Sequence, residues 1–200
     1  MKQSLQASGA HGLLARAFRS YAAGLGRSLL SSDAIVYPAG GEAEPRDGRH
    51  DFDFLHGRWQ VRNVRLKARL VGCTEWEAFD ARTECRPILA HGGNLEEYAT
   101  DWRGGYHGMA VRLYDPQRRQ WSIHWANRDA GALEPPVVGR FEHGVGTFLG
   151  RDRCDGKPVS VRFFWHDIHA DSAHWEQAFS LDDGRHWETN WHMHFSREAA

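Results

Sequence analysis

Through most of the stretch from Trp59 to Phe195 apolar residues recur at every second position, and that period constrains the fold more than any other feature. Trp121, Ile123 and Trp125 alternate with Ser122, His124 and Ala126. Val159, Val161, Phe163 and Trp165 alternate with Ser160, Arg162, Phe164 and His166, and Met109, Val111 and Leu113 with Ala110, Arg112 and Tyr114. Successive side chains of a strand point to opposite faces, so each run describes a strand with one face on a core. Turn residues separate the runs at short intervals: Asp115-Pro116, Glu142-His143-Gly144, Asp155-Gly156 and Asp182-Asp183-Gly184. The last three tolerate the positive φ that hairpins need. About nine or ten strands fit between Trp59 and Phe195, with no helix among them. An antiparallel meander of that length removes its edges by closing into an all-β up-and-down barrel; a two-sheet sandwich is the alternative.

The ends of the chain read differently. Residues 1–32 hold no Asp or Glu but carry Lys2, Arg16, Arg19 and Arg27, and Leu14, Phe18, Tyr21, Leu25 and Leu29 recur at helical spacing. A short amphipathic helix is compatible with this, weakened by Gly24 and Gly26. The composition also resembles an organelle transit peptide, while Arg16 and Arg19 break the apolar core that a secretory signal needs. We read residues 1–47 as an N-terminal extension, ending in the linker PAGGEAEPRD, and residues 48–200 as the barrel domain.

Lys and Arg total 25 against 26 Asp and Glu, which gives no electrostatic pull toward nucleic acid. No apolar run approaches the roughly 20 residues of a membrane span. Cys73, Cys85 and Cys154 are widely separated and form no CxxC, the usage of free thiols in a reduced compartment, so the expected location is cytoplasmic. The unusual counts are nine Trp and thirteen His. Trp59, Trp121, Trp125, Trp165, Trp175, Trp187 and Trp191 fall in the apolar phase of their strands and should point inward. A barrel lined in this way is either filled or built to hold a flat apolar ligand.

Four separated blocks carry a resemblance: DFDFLHGRW (Asp51 to Trp59), GMAVRLYDPQRRQWSIHW (Gly108 to Trp125), PPVVGRFEHGVGTF (Pro135 to Phe148) and WEQAFSLDDGRHWETNW (Trp175 to Trp191). They resemble a bacterial domain-of-unknown-function family whose members open with FDFxxGxW. Gly57-Arg58-Trp59 is also similar to the GxW signature of lipocalins and other calycins. The resemblance implies a calycin-like barrel whose closed end is plugged by the Trp. It implies no reaction, because such barrels serve transport, haem binding and occasional catalysis alike.

In the last block, strand alternation puts Trp175, Gln177, Phe179, Trp187, Thr189, Trp191, Met193 and Phe195 inward, with Glu176, Glu188, Asn190, His192 and His194 outward. Gln177 and Thr189 are then neutral hydrogen-bonding groups among aromatics, able to orient a ligand walled by Trp125, Trp165 and Trp191, or to bond each other or a water. Glu176 and Glu188 read as an exposed charge ladder with Arg162. His192 and His194 form HxH on one face, and a guessed register sets His166, His174 and His192 in a row. A solvated patch is the expected reading, with no metal and no cofactor assigned. Cys85 reads as a packed thiol and Asn94 as a turn residue, and Glu97 is the first carboxylate to inspect if a pocket opens nearby. The chain holds no HExxH, phosphate loop, GxGxxG or GxSxG. The expected function is therefore binding of a small apolar or aromatic molecule. The alternatives are a cofactor-free isomerase, cyclase or hydrolase, which needs an inward ionisable group of perturbed pKa, and haem or metal binding through histidine.

Overall fold

The computed structural model describes residues 47–199, so the helical reading within residues 1–32 and most of the linker lie outside the described residues. Ten antiparallel strands follow one another: β1 (Gly57–Leu66), β2 (Trp76–Ile88), β3 (Gly93–Thr100), β4 (Tyr106–Asp115), β5 (Gln120–Asn127), β6 (Val137–Glu142), β7 (Val145–Cys154), β8 (Lys157–His166), β9 (Ser172–Ser180) and β10 (Glu188–Arg197). Each strand pairs with the next, and β1 pairs with β10, so the meander closes into a barrel with no free edge. The seam is thinnest between β5 and β6, where only Trp121, Ser122 and Ile123 pair with Gly139, Val138 and Val137.

Of the nine connections between these strands, four lie at the end where β1 begins and five at the other. A 3-10 turn, Asp53–Leu55, folds across the end where β1 begins and β10 finishes. Phe52, just before it, is fully buried against Trp121, Phe141, Phe148 and Trp165, with centroids 4.8–6.1 Å away. Trp59 is also fully buried and donates its Nε1 proton to the Leu55 carbonyl at 2.8 Å. Arg197 lies over the Trp59 ring at 4.1 Å and donates to the carbonyls of Phe54, His56 and Ala170. The guanidinium thus ties the turn, β1 and the β8–β9 connection to one another while stacking on the indole. Gly57 of the GxW step has φ +109°, and a Cβ there would meet Arg197 Nη1 at 3.0 Å, so the step suits glycine alone. This end is closed and filled.

Most strands keep the phase that alternation implies, with two informative departures. In β4 the inner row is Ala110, Arg112 and Tyr114, while Met109, Val111 and Leu113 face outward or between strands. Arg112 can lie inside because Glu96 from β3 accepts its charge; Thr83 Oγ1 donates to Glu96 at 2.6 Å and Arg112 Nη1 to Asn94 Oδ1 at 3.0 Å. Asn94 is therefore a buried hydrogen-bonding member of the interior rather than a turn residue. In β10 a bulge between Thr189 and Trp191 inserts Asn190 as an extra residue, and the phase reverses below it. Asn190 is fully buried and accepts from Gln177 Nε2 at 2.9 Å, whereas Thr189 pairs with Ala178 in the outer row.

Candidate functional site

The half of the barrel opposite the 3-10 turn encloses a cavity of about 330 Å³, within the range of small-molecule pockets. Its floor is the Arg112–Glu96 pair with Trp165, and its walls are aromatic, among them Phe79, Tyr98, Trp125, Trp175 and Trp191. Exposed residues such as Lys67, Val71 and Asp155 at its rim bring it to the surface. Gly108 makes room for one wall, because a Cβ on it would overlap the Trp125 ring. Trp125 Nε1 donates to Tyr106 Oη at 3.1 Å, and the two rings stack. Trp191 Nε1 and Tyr98 Oη both donate to Asn63 Oδ1, at 3.1 and 3.2 Å. Burial holds the Tyr98 and Tyr106 phenols well above their ordinary range, so both stay neutral.

Two arginines stand inside the mouth. Arg65 is buried, lies 5.0 Å over Trp102 and 5.1 Å over Trp191, and has Glu77 3.9 Å from its Nε. Its Nε and Nη1 are shut from solvent without a hydrogen-bond acceptor. Arg69, in the β1–β2 connection, lies over Phe179 and Trp191, and its Nε and Nη2 are likewise enclosed and unpartnered. Burial lowers both guanidinium pKa values, and the proximity of Arg69 adds to the effect at Arg65; both stay charged at neutral pH. Buried N–H donors without acceptors are costly, and charged ones especially so.

The opposite rim holds Glu134, whose Oε1 is also buried and unpartnered. Burial, with the nearby charge of Asp152, pushes its carboxyl up to about 8, so the group is protonated at neutral pH. Asp152 is raised in the same direction, chiefly by burial. Glu188 bonds the Leu70 backbone amide through both oxygens, at 2.8 and 3.0 Å, and so fastens the β1–β2 connection at the mouth.

Of the residues singled out from sequence, Trp125, Trp165, Gln177 and Trp191 line this one cavity, and Thr189 and Glu97 do not. Glu97 is exposed on the outside of β3, facing a broad depression shared with Arg82, His107 and Arg128. The ladder of Glu176, Glu188 and Arg162 does not form: Arg162 stacks over Trp187 at 4.7 Å, outside the barrel, and Glu176 sits between two histidines. Trp187, expected inside, is half-buried in the β9–β10 connection. Cys85 is buried, which pushes its thiol up to about 12 and leaves it a packed side chain. Sequence alternation missed Arg65, Arg69 and Glu134. For Arg65 a signal was present, since it is in phase with Trp59 and Val61, but a charge at that position argues against burial by type.

The histidines gather on the outer face of β8, β9 and β10, with His166 beside His174 as expected and His194, rather than His192, on the other side of it. His174 pairs with His166 on one side and His194 on the other, while His192 pairs with Glu176. Ring centroids lie 4.4 Å apart for His166 and His174, and 4.1 Å for His174 and His194.

No protein-family model and no curated protein matches the sequence. Among solved structures, the S-type phycobiliprotein lyase CPES from Guillardia theta superimposes with a TM-score of 0.50 at 10% sequence identity, over 78% of this chain and 99% of that chain. The likeness agrees with a calycin-like barrel. Among the described residues no helix is long and apolar enough to cross a membrane.

Proposed function

We propose that the barrel binds a small, flat, largely apolar molecule that carries an acidic group. The body lies among Trp125, Trp165, Trp175 and Trp191, Gln177 orients it, and the acid meets Arg65 and Arg69. The observation that carries this reading is the pair of enclosed guanidinium groups with unpartnered N–H donors, set on the wall of an aromatic cavity. An anion supplies the missing acceptors, and charge-assisted bonds of this kind are worth about 1.5–3 kcal/mol each. The likeness to the phycobiliprotein lyase, at 10% identity, bears on the fold and not on a reaction. The FDFxxGxW resemblance supports reading the chain as a relative of the domain-of-unknown-function family. The three free thiols support a reducing compartment such as the cytoplasm.

Titration of Trp fluorescence with size-matched aromatic carboxylates, alcohols and amines tests the reading. The carboxylates should bind at least about tenfold more tightly than the alcohols, a difference of about 1.4 kcal/mol. Equal affinity across the three would remove the acidic group from the proposal; no quenching by any of them would remove the ligand.

A second reading is favoured by Glu134. A carboxyl held protonated at neutral pH at the edge of a cavity is the inward ionisable group that a cofactor-free isomerase, cyclase or hydrolase needs as general acid. Turnover of a bound aromatic acid that is abolished by Glu134→Gln, with binding retained, would establish it.

A further inference from the structure

We propose that the outer face of β8, β9 and β10 carries a binding site for one divalent transition-metal ion of the zinc class, with His166, His174 and Glu176 as ligands and His192 as the fourth. The site stands on the outside of the barrel, and it does not depend on what the cavity holds.

The ligand atoms of His166, His174 and Glu176 all lie within 4.8 Å of one another. Glu176 Oε1 stands 3.4 Å from His166 Nε2 and 3.4 Å from His192 Nδ1, so one carboxylate oxygen already faces two imidazoles. His174 completes the set, and its Nε2 is shut from solvent with no hydrogen-bond partner. A nitrogen in that condition lacks both water and an acceptor or donor, and a metal ion would satisfy it. Three imidazoles and one carboxylate form a borderline N/O donor set that suits zinc, cobalt or copper and disfavours calcium or magnesium. Tetrahedral bonds of about 2.0–2.1 Å place ligand atoms roughly 3.4 Å apart, so His166, His174 and Glu176 have to close by up to roughly 1.4 Å on loading, and His192 joins them by rotating from its place beside Glu176. The side chains are only half-buried and have room to rotate.

Two further features match a metal site. His166 Nδ1 lies 2.8 Å from Asp167 Oδ2, the carboxylate–histidine pairing that fixes a ligand tautomer and raises its basicity. The backbone positions are also set rigidly, because the ligands come from three strands hydrogen-bonded side by side, with His174 and Glu176 two residues apart on one face. His194 packs on His174 from the far side, with rings at 27°, and serves as a wall rather than a ligand.

The test uses the full chain, stripped with chelator and titrated with zinc chloride by calorimetry and with cobalt chloride by visible absorption. One ion per chain at micromolar affinity or tighter is expected, with the intense d–d bands of four-coordinate cobalt. His174→Ala and Glu176→Gln should each weaken zinc binding at least tenfold and bleach those bands, while His186→Ala and His107→Ala, which lie elsewhere on the surface, should leave both unchanged. Circular dichroism of each variant shows that the barrel persists, and His166→Gln serves as a second ligand variant if His174→Ala fails to fold. Absence of stoichiometric binding, weak six-coordinate cobalt bands, or affinity that survives both ligand substitutions would overturn the proposal.

Discussion

The two ends of the barrel are made from the same kinds of residue and put them to opposite use. At the closed end Phe52 meets Trp121, Phe141, Phe148 and Trp165 ring against ring, Trp59 meets Phe195, and the arginine there, Arg197, has three backbone carbonyls and an indole to itself. At the open end Phe79, Trp125, Trp175 and Trp191 surround a space, and Arg65 and Arg69 keep N–H groups that nothing accepts. A satisfied arginine among packed aromatics is structure; an unsatisfied one among spaced aromatics marks a place for something else. The Arg112–Glu96 pair, buried across the middle, separates the two halves.

The sharpest way to break this contrast is to truncate an indole at each end. Trp59→Ala removes a fully buried ring and the seat of Arg197, and should cost about 3–5 kcal/mol in urea unfolding. Trp125→Ala widens a cavity that already exists and should cost less than about half as much. Equal losses would show that the open end is packed as firmly as the closed one. Nearly as large an effect is expected between them. Arg112→Met leaves Glu96 buried and unpaired and should cost about 3–5 kcal/mol, whereas the double change Arg112→Met with Glu96→Leu should recover most of that loss.

These contrasts also mark how far sequence alternation reaches. It finds β5, β8 and β9, whose inner rows are aromatic or aliphatic apart from Gln177, and it finds the GxW plug, because in those places burial and residue type agree. It fails where a partner from another strand reverses the usual preference: Arg112 is inside because Glu96 is opposite, and no periodicity within β4 records that. It fails again at Asn190, where one bulged residue reverses the row below it, turning Thr189 out and Glu188 toward the mouth. The histidine register depends likewise on pairings between strands, so a shift of two residues brings His194, not His192, opposite His174. The cavity was legible as aromatic walls and illegible as a charged mouth.

The open end can be sharpened without disturbing the closed one. Arg65→Gln and Arg69→Gln should each weaken an aromatic carboxylate about tenfold or more, while leaving a neutral analogue and the unfolding midpoint nearly unchanged. A matching loss for the neutral analogue would mean that the arginines shape the cavity rather than bind an anion. Gln177→Leu keeps the volume and removes a hydrogen-bonding group; it should lower affinity for oriented ligands by a few-fold and leave Asn190 short of one donor.

The effect at Glu134 depends on pH, and its sign distinguishes a dry rim from a wet one. Its carboxyl titrates near 8 in the folded protein against about 4.5 in the unfolded chain, with burial the first cause and Asp152 the second. The folded state therefore keeps a proton that the unfolded state releases, and the stability this contributes is complete below pH 4.5 and is lost as pH rises through about 8. Glu134→Gln mimics the protonated group at every pH, so the difference in unfolding free energy between variant and wild type should be near zero at pH 5 and grow in favour of the variant toward pH 8. A ceiling of about 2 kcal/mol is set by the mouth, where water can reach the ionised carboxylate. Ligand binding should follow the same course: a carboxylate ligand entering past Glu134 loses affinity to the wild type between pH 7 and 9, as a second negative charge develops on the rim, and keeps it with the variant. If the two proteins run parallel in both measurements, Glu134 is hydrated and ordinary, and the open end would have a cationic side without an acidic gate facing it.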